Sequence, residues 1–124
     1  MNAFNSIVDK VTEMIYEREP SLLERYGERG KEKCREDNHH HMKHLQTAFE
    51  LDNQTFFTDY AIWLDGILTK HGMTSKLLID NFNFILDVLD ENEDSLTPQQ
   101  KQSYTTYLTA AIGVLEGKSV KEGS

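Results

Sequence analysis

Cys34-Arg35-Glu36-Asp37-Asn38-His39-His40-His41-Met42-Lys43-His44-Leu45 holds the only cysteine of the chain, four of its five histidines and two acids. It lies inside a segment that reads as one helix. At helical spacing, positions 34, 37/38, 41, 45 and 48 share a face. That face carries Cys34, Asp37 or Asn38, His41, Leu45 and Ala48, and its apolar end turns it inward. His39, Lys43 and Gln46 fall on the opposite, wet side. His40 and His44 stand at the boundary as i, i+4 partners. The reading predicts an amphipathic helix that sets a short polar line against a core or pocket.

The same periodicity runs outward in both directions, with no strand signal, and predicts an all-α chain of five or six helices. Phe4, Ile7, Val8, Val11, Met14 and Ile15 mark a helix over about residues 3–18, ended by Pro20. Ser21-Leu22-Leu23-Glu24 has the pattern of a capping box opening a short helix that Gly27 closes. A third helix follows from about Glu28 to Leu51. Asp52 or Asn53 caps a fourth, over about 54–71, closed by Gly72. Thr74 or Ser75 caps a fifth, to about Asn92. Thr97-Pro98-Gln99-Gln100 is a start signal for a sixth, which Gly117 stops. Residues 118–124 read as a disordered polar tail, and residues 1–124 as one domain without a linker.

The last two helices are apolar around more than one face: Leu77, Leu78, Ile79, Phe82, Phe84, Ile85, Leu86, Val88 and Leu89 in one, Tyr104, Tyr107, Leu108, Ala110, Ala111, Ile112, Val114 and Leu115 in the other. Such helices must be covered nearly all round. A second copy can supply part of that cover, which predicts a homodimer through these two helices. Central placement within one copy is the competing reading.

Bulk properties narrow the function. A net charge of −8 disfavours sequence-independent nucleic-acid binding and adhesion to anionic membranes. No apolar run reaches the roughly 18 residues that a membrane span needs. A single cysteine cannot form an internal disulfide, and Met1-Asn2-Ala3-Phe4-Asn5 lacks a leader pattern, so a cytoplasmic location is expected.

Three chemistries compete for the cysteine–histidine helix. For a metal site, His40/His44 and His41/His44 have usable spacing, but no second cysteine or His-Glu-x-x-His accompanies them. For nucleophilic catalysis, Cys34 and His41 stand about 10 Å apart along the helical rise, beyond hydrogen-bond reach. No catalytic residue and no metal ligand is therefore assigned. The third is a ligand pocket whose polar end is made by His41 with Asp37 or Asn38, where an imidazole of variable charge suits an anion or carboxylate. A satisfied core histidine beside a small buried cysteine remains the plain alternative.

From Cys34-Arg35-Glu36-Asp37 onward, with Leu45, Ala48, Asp52, Phe57, Leu64, Leu68 and Gly72, the chain resembles the phycobiliprotein pattern over about residues 28–90. The resemblance implies a globin-like fold, with Cys34 and Asp37 at the positions that attach and hold a bilin. Arg35 stands beside the cysteine, where that family places its arginine beside the aspartate. In size and helical layout the chain is more closely similar to the small haem-less globin-like sensor domains of spore-forming bacilli. That likeness implies a dimeric, non-enzymatic module without haem. It would hold a fatty acid in a hydrophobic tunnel with chloride at its polar end, and inhibit sporulation by competing with the sensor domain of a histidine kinase.

On this reading the candidate ligand-binding residues are His41, Asn38, Cys34, Asp37 and His44 at the polar end, with Tyr60, Trp63, Leu64, Ile67, Phe82, Ile85, Tyr104 and Leu108 along the apolar part. Phe56 and Phe57 are further lining candidates, and Tyr60 and Trp63 are expected to face inward. His71 is the histidine nearest a globin's proximal position, and it is expected to face the turn before Gly72. A tetrapyrrole-binding relative and a ligand-free dimerising module are the alternatives.

Overall fold

α1 (Asn5–Arg18), α2 (Ser21–Leu51), α3 (Gln54–Lys70), α4 (Ser75–Asp90) and α5 (Pro98–Gly123) make up the fold. The computed structural model describes residues 4–91 and 96–123, with side chains described as far as 117. No strand occurs among the described residues, so the chain is all-α as expected. The start of the fifth expected helix is met at Ser75. Its end at about Asn92 lies outside the described residues, as does Ser124.

The helices start and stop for local reasons. Asn53 accepts the backbone N–H of Phe56 through its side chain at 3.3 Å and opens α3. Thr97 and Gln100 form a reciprocal capping box, with Thr97 N–H donating to Gln100 Oε1 at 3.0 Å and Gln100 N–H to Thr97 Oγ1 at 3.1 Å. α3 ends in a Schellman motif: Met73 N–H reaches Leu68 O, Gly72 N–H reaches Thr69 O, and Gly72 takes φ +86°. α2 ends the same way, with Asp52 at φ 51° in the role usually given to glycine.

The boundary expected at Gly27 is met: its φ of 67° and ψ of −167° leave helical geometry and break α2 into the short helix and the long helix expected on either side of it. Two expectations are corrected. Ser21 lies inside α2 and does not cap it; Pro20 precedes the helix without a side-chain cap, as suits a residue that pre-sets φ. Gly117 does not stop α5, which continues to Gly123. Gly117 does not take the left-handed conformation that a stop would use, in contrast to Gly72.

All five helices meet in one hydrophobic core. α1 contributes Ile7, Val8 and Val11, α2 Met42, Leu45 and Ala48, and α3 Phe57, Tyr60 and Ala61. α4 adds Leu78, Phe82, Ile85 and Leu89, and α5 adds Tyr104, Leu108, Ala111 and Leu115. α5 touches α2, α3 and α4, while α1 closes the other side against α2 and α4. Ion pairs from Asp9 to Arg35 (3.2 Å) and Glu13 to Lys31 (3.2 Å) join α1 to α2 at the surface. Most of the broad apolar cover of α4 and α5 is supplied within one copy. Among their described large apolar residues, Leu77 and Val114 are the ones left exposed.

Candidate functional site

The polar line of α2 points into the bundle, but its members divide. Asn38 is the inward residue, and Asp37 lies toward the surface, held by Lys33 at 2.9 Å. Asn38 Nδ2 donates to the Cys34 carbonyl (3.0 Å) and to Asn81 Oδ1 (3.2 Å), and Asn81 Nδ2 donates back to Asn38 Oδ1 (2.6 Å). This amide pair fastens α2 to α4. Cys34 is half-buried. Burial first, then the charge of Asp37, pushes its thiol up to about 11, so it stays protonated and weakly reactive at neutral pH.

One turn further, His41 is fully enclosed. Its Nδ1 shares a 2.7 Å hydrogen bond with the Tyr60 hydroxyl from α3, and its ring meets Phe82 edge-on at 5.2 Å. Burial first, then the charges of His44 and His40, lowers its pKa to about 3. The expectation of an imidazole that varies its charge near neutral pH is therefore corrected: His41 stays neutral. The Tyr60 hydroxyl is in turn pushed up by burial and stays protonated.

Tyr60 is also the floor of an open groove. Positions 56, 59, 60 and 63 share one face of α3, and His44 of α2 faces them. His44, Phe56, Asp59, Tyr60 and Trp63 line a surface pocket of about 330 Å³. The His44 ring stacks on Tyr60 (centroids 3.7 Å, planes 14° apart) and, more loosely, on Phe56 (5.9 Å, 22°). His44 Nδ1 lies 2.7 Å from the His40 carbonyl. A carbonyl can only accept, so Nδ1 carries a proton. Trp63 adjoins Tyr60 at 6.4 Å and is 62% exposed. The expected inward orientation of Trp63 is thus corrected: it forms the outer rim, because the core face of α3 is already taken by Phe57, Tyr60 and Ala61.

The remaining lining candidates lie elsewhere. Phe82, Ile85, Tyr104 and Leu108 are fully buried in the core, and Leu64 and Ile67 are half-buried. None of these six lines the groove, nor a second open pocket of about 250 Å³ at Met14, Glu17, Arg18 and Phe84. His71 follows the last turn of α3 and is exposed, as its place before Gly72 predicts. Among the described residues no group of three or more histidine, cysteine, aspartate or glutamate side chains comes together to hold a metal ion. Among them, too, no helix is long and apolar enough to cross a membrane.

Sequence reasoning missed Asn81, Asp59 and the buried Asp65. Asn81 had a legible signal, since it falls on the stripe of Leu78, Phe82 and Ile85 and a polar residue there needs a partner. Asp59 had one too, being flanked at helical spacing by Phe56 and Trp63. No protein-family model, curated protein or solved structure matches the chain.

Proposed function

We propose that this chain is a non-enzymatic, globin-like sensing module that holds a small amphiphile in the aromatic groove between α2 and α3 and passes its occupancy to a protein partner. The observation that carries this reading is the double position of Tyr60. One side of the residue belongs to the groove, and its hydroxyl belongs to the buried hydrogen bond with His41. A ligand that displaces the Tyr60 ring changes a contact inside the core.

The resemblance supplies the rest of the proposal. A fatty acid is the ligand class it implies, with chloride as a companion ion, and each buried CH₂ contributes about 0.8 kcal/mol. The free domain would then inhibit sporulation by competing with the sensor part of a histidine kinase. A second copy would dock over α4 and α5, where Leu77 and Val114 are exposed.

Trp63 is the only tryptophan of the chain and stands on the groove rim, so its fluorescence reads occupancy directly. Titration with decanoate is expected to shift that emission saturably, and native mass spectrometry to show the bound species. No saturable change with any amphiphile, together with a ligand-free mass, counts against the reading. A second reading, a ligand-free dimerising module, is favoured by the complete burial of Phe82, Ile85, Tyr104 and Leu108. It predicts a melting temperature that amphiphiles leave unchanged.

A further inference from the structure

We propose that the groove recognises an organic ammonium group, so that the ligand's head is an alkylated amine. The proposal rests on the groove being a ligand site, and it replaces the carboxylate head that the resemblance implies with a cationic one. Four of its five lining residues are aromatic rings: His44, Phe56, Tyr60 and Trp63. The faces of Phe56, Tyr60 and Trp63 carry negative electrostatic potential and attract cations, tryptophan most strongly. Trp63 is also the most exposed of the described large apolar residues.

The fifth lining residue, Asp59, is an exposed carboxylate on the same face of α3, one turn before Trp63. Among the described residues, no lysine or arginine lines the groove. The rings of Tyr60 and Trp63 lie 6.4 Å apart with planes inclined by 33°, so they do not stack on each other, while His44 covers one face of Tyr60. The Nδ1 of His44 is engaged with the His40 carbonyl, and its ring lies flat against Tyr60. Asp59 is thus the one carboxylate among the described lining residues, and no lining cation opposes it. A cation gains from rings and carboxylate together, whereas a carboxylate head would meet Asp59. An alkylated ammonium fits best because its methyl groups shed water readily and lie against aromatic faces.

The test uses the full chain, with choline as probe. Controls are the neutral isostere of choline, in which carbon replaces nitrogen, and decanoate. Choline is expected to shift Trp63 fluorescence saturably and to bind at least about fivefold more tightly than the isostere, as cation–π attraction requires. Asp59→Asn is expected to weaken choline several-fold and to leave the isostere unchanged. Trp63→Ala is expected to abolish choline binding, followed by ligand-observed NMR. Both positions are exposed, and an unchanged melting temperature confirms that the variants fold. Equal affinity for choline and its isostere overturns the proposal, as does an Asp59→Asn variant that binds choline normally. If decanoate binds and choline does not, the ammonium assignment falls while the sensing module stands. If no probe binds, both fall.

Discussion

His41 couples the stability of the protein to pH through its burial. In the fold its pKa is about 3, against an ordinary value of 6.5. Between those values the unfolded chain takes up a proton that the folded chain refuses. The stabilisation is therefore complete above the ordinary value and is lost as pH falls toward the folded one. The steepest loss from one such group is about 1.4 kcal/mol per pH unit. Melting temperature is expected to drop between about pH 7 and pH 5, and to drop less in the double variant His41→Phe, Tyr60→Phe. Parallel curves for the two proteins would refute a buried neutral His41. The amide pair beside it obeys a different rule, since each partner satisfies the other. Asn38→Ala leaves the Asn81 amide without its partner and is expected to cost about 1–3 kcal/mol in urea unfolding, toward the lower end because Asn81 is half-buried and can reach water. Replacing both by leucine should recover most of that loss. A double variant as unstable as the single one would show that packing, not hydrogen bonding, governs the site.

The helix boundaries tell which sequence signals suffice by themselves. Thr97-Pro98-Gln99-Gln100 was legible because every atom of its capping box lies within four residues. Asn53 and Gly72 were legible for the same reason. Ser21 and Gly117 misled because a serine or glycine is compatible with a boundary without requiring one. At Gly117 the backbone is ordinary helix, and a Cβ would meet nothing within 4 Å. Gly117→Ala is accordingly expected to stabilise the protein by about 0.5–1 kcal/mol, the advantage of alanine over glycine inside a helix. Destabilisation would instead mean that α5 ends there. Thr97→Ala should cost about 0.5–2 kcal/mol, since it strands the Gln100 N–H at the start of α5. Thermal or urea unfolding of the two variants reads both effects with opposite signs. Gly30 illustrates what no local pattern encodes. An added Cβ would lie 2.5 Å from the Tyr26 Cβ, a crowding created only once α2 bends at Gly27.

At the scale of the molecule, the inward stripes were legible and the assembly of the site was not. Ile7, Val8, Val11, Leu45 and Ala48 fell where helical spacing put them. Trp63 did not, because periodicity ranks residues by apolarity and cannot say which of several apolar faces on α3 the neighbours will cover. The cover of α4 and α5 posed the same problem. Leu77→Glu with Val114→Glu should convert a dimer to a monomer in light scattering if a second copy docks there, and an unaffected dimer would move that interface elsewhere. The centrality of α5 allows a sharper test. It touches α2, α3 and α4, and its Tyr104, Leu108, Ala111 and Leu115 are fully buried. A chain ending at Asp90 would lose those four side chains and expose the inner surfaces of Phe57, Phe82 and Ile85, which only a shared core covers. Losing even one large buried side chain typically costs about 2–5 kcal/mol, and a domain's whole stability is about 5–15 kcal/mol. The shortened chain is therefore expected to have no cooperative melting transition and no near-ultraviolet circular dichroism, while keeping part of its helical signal in the far ultraviolet. A sharp transition in that chain would show that α1–α4 hold a core of their own and that α5 is an addition to it.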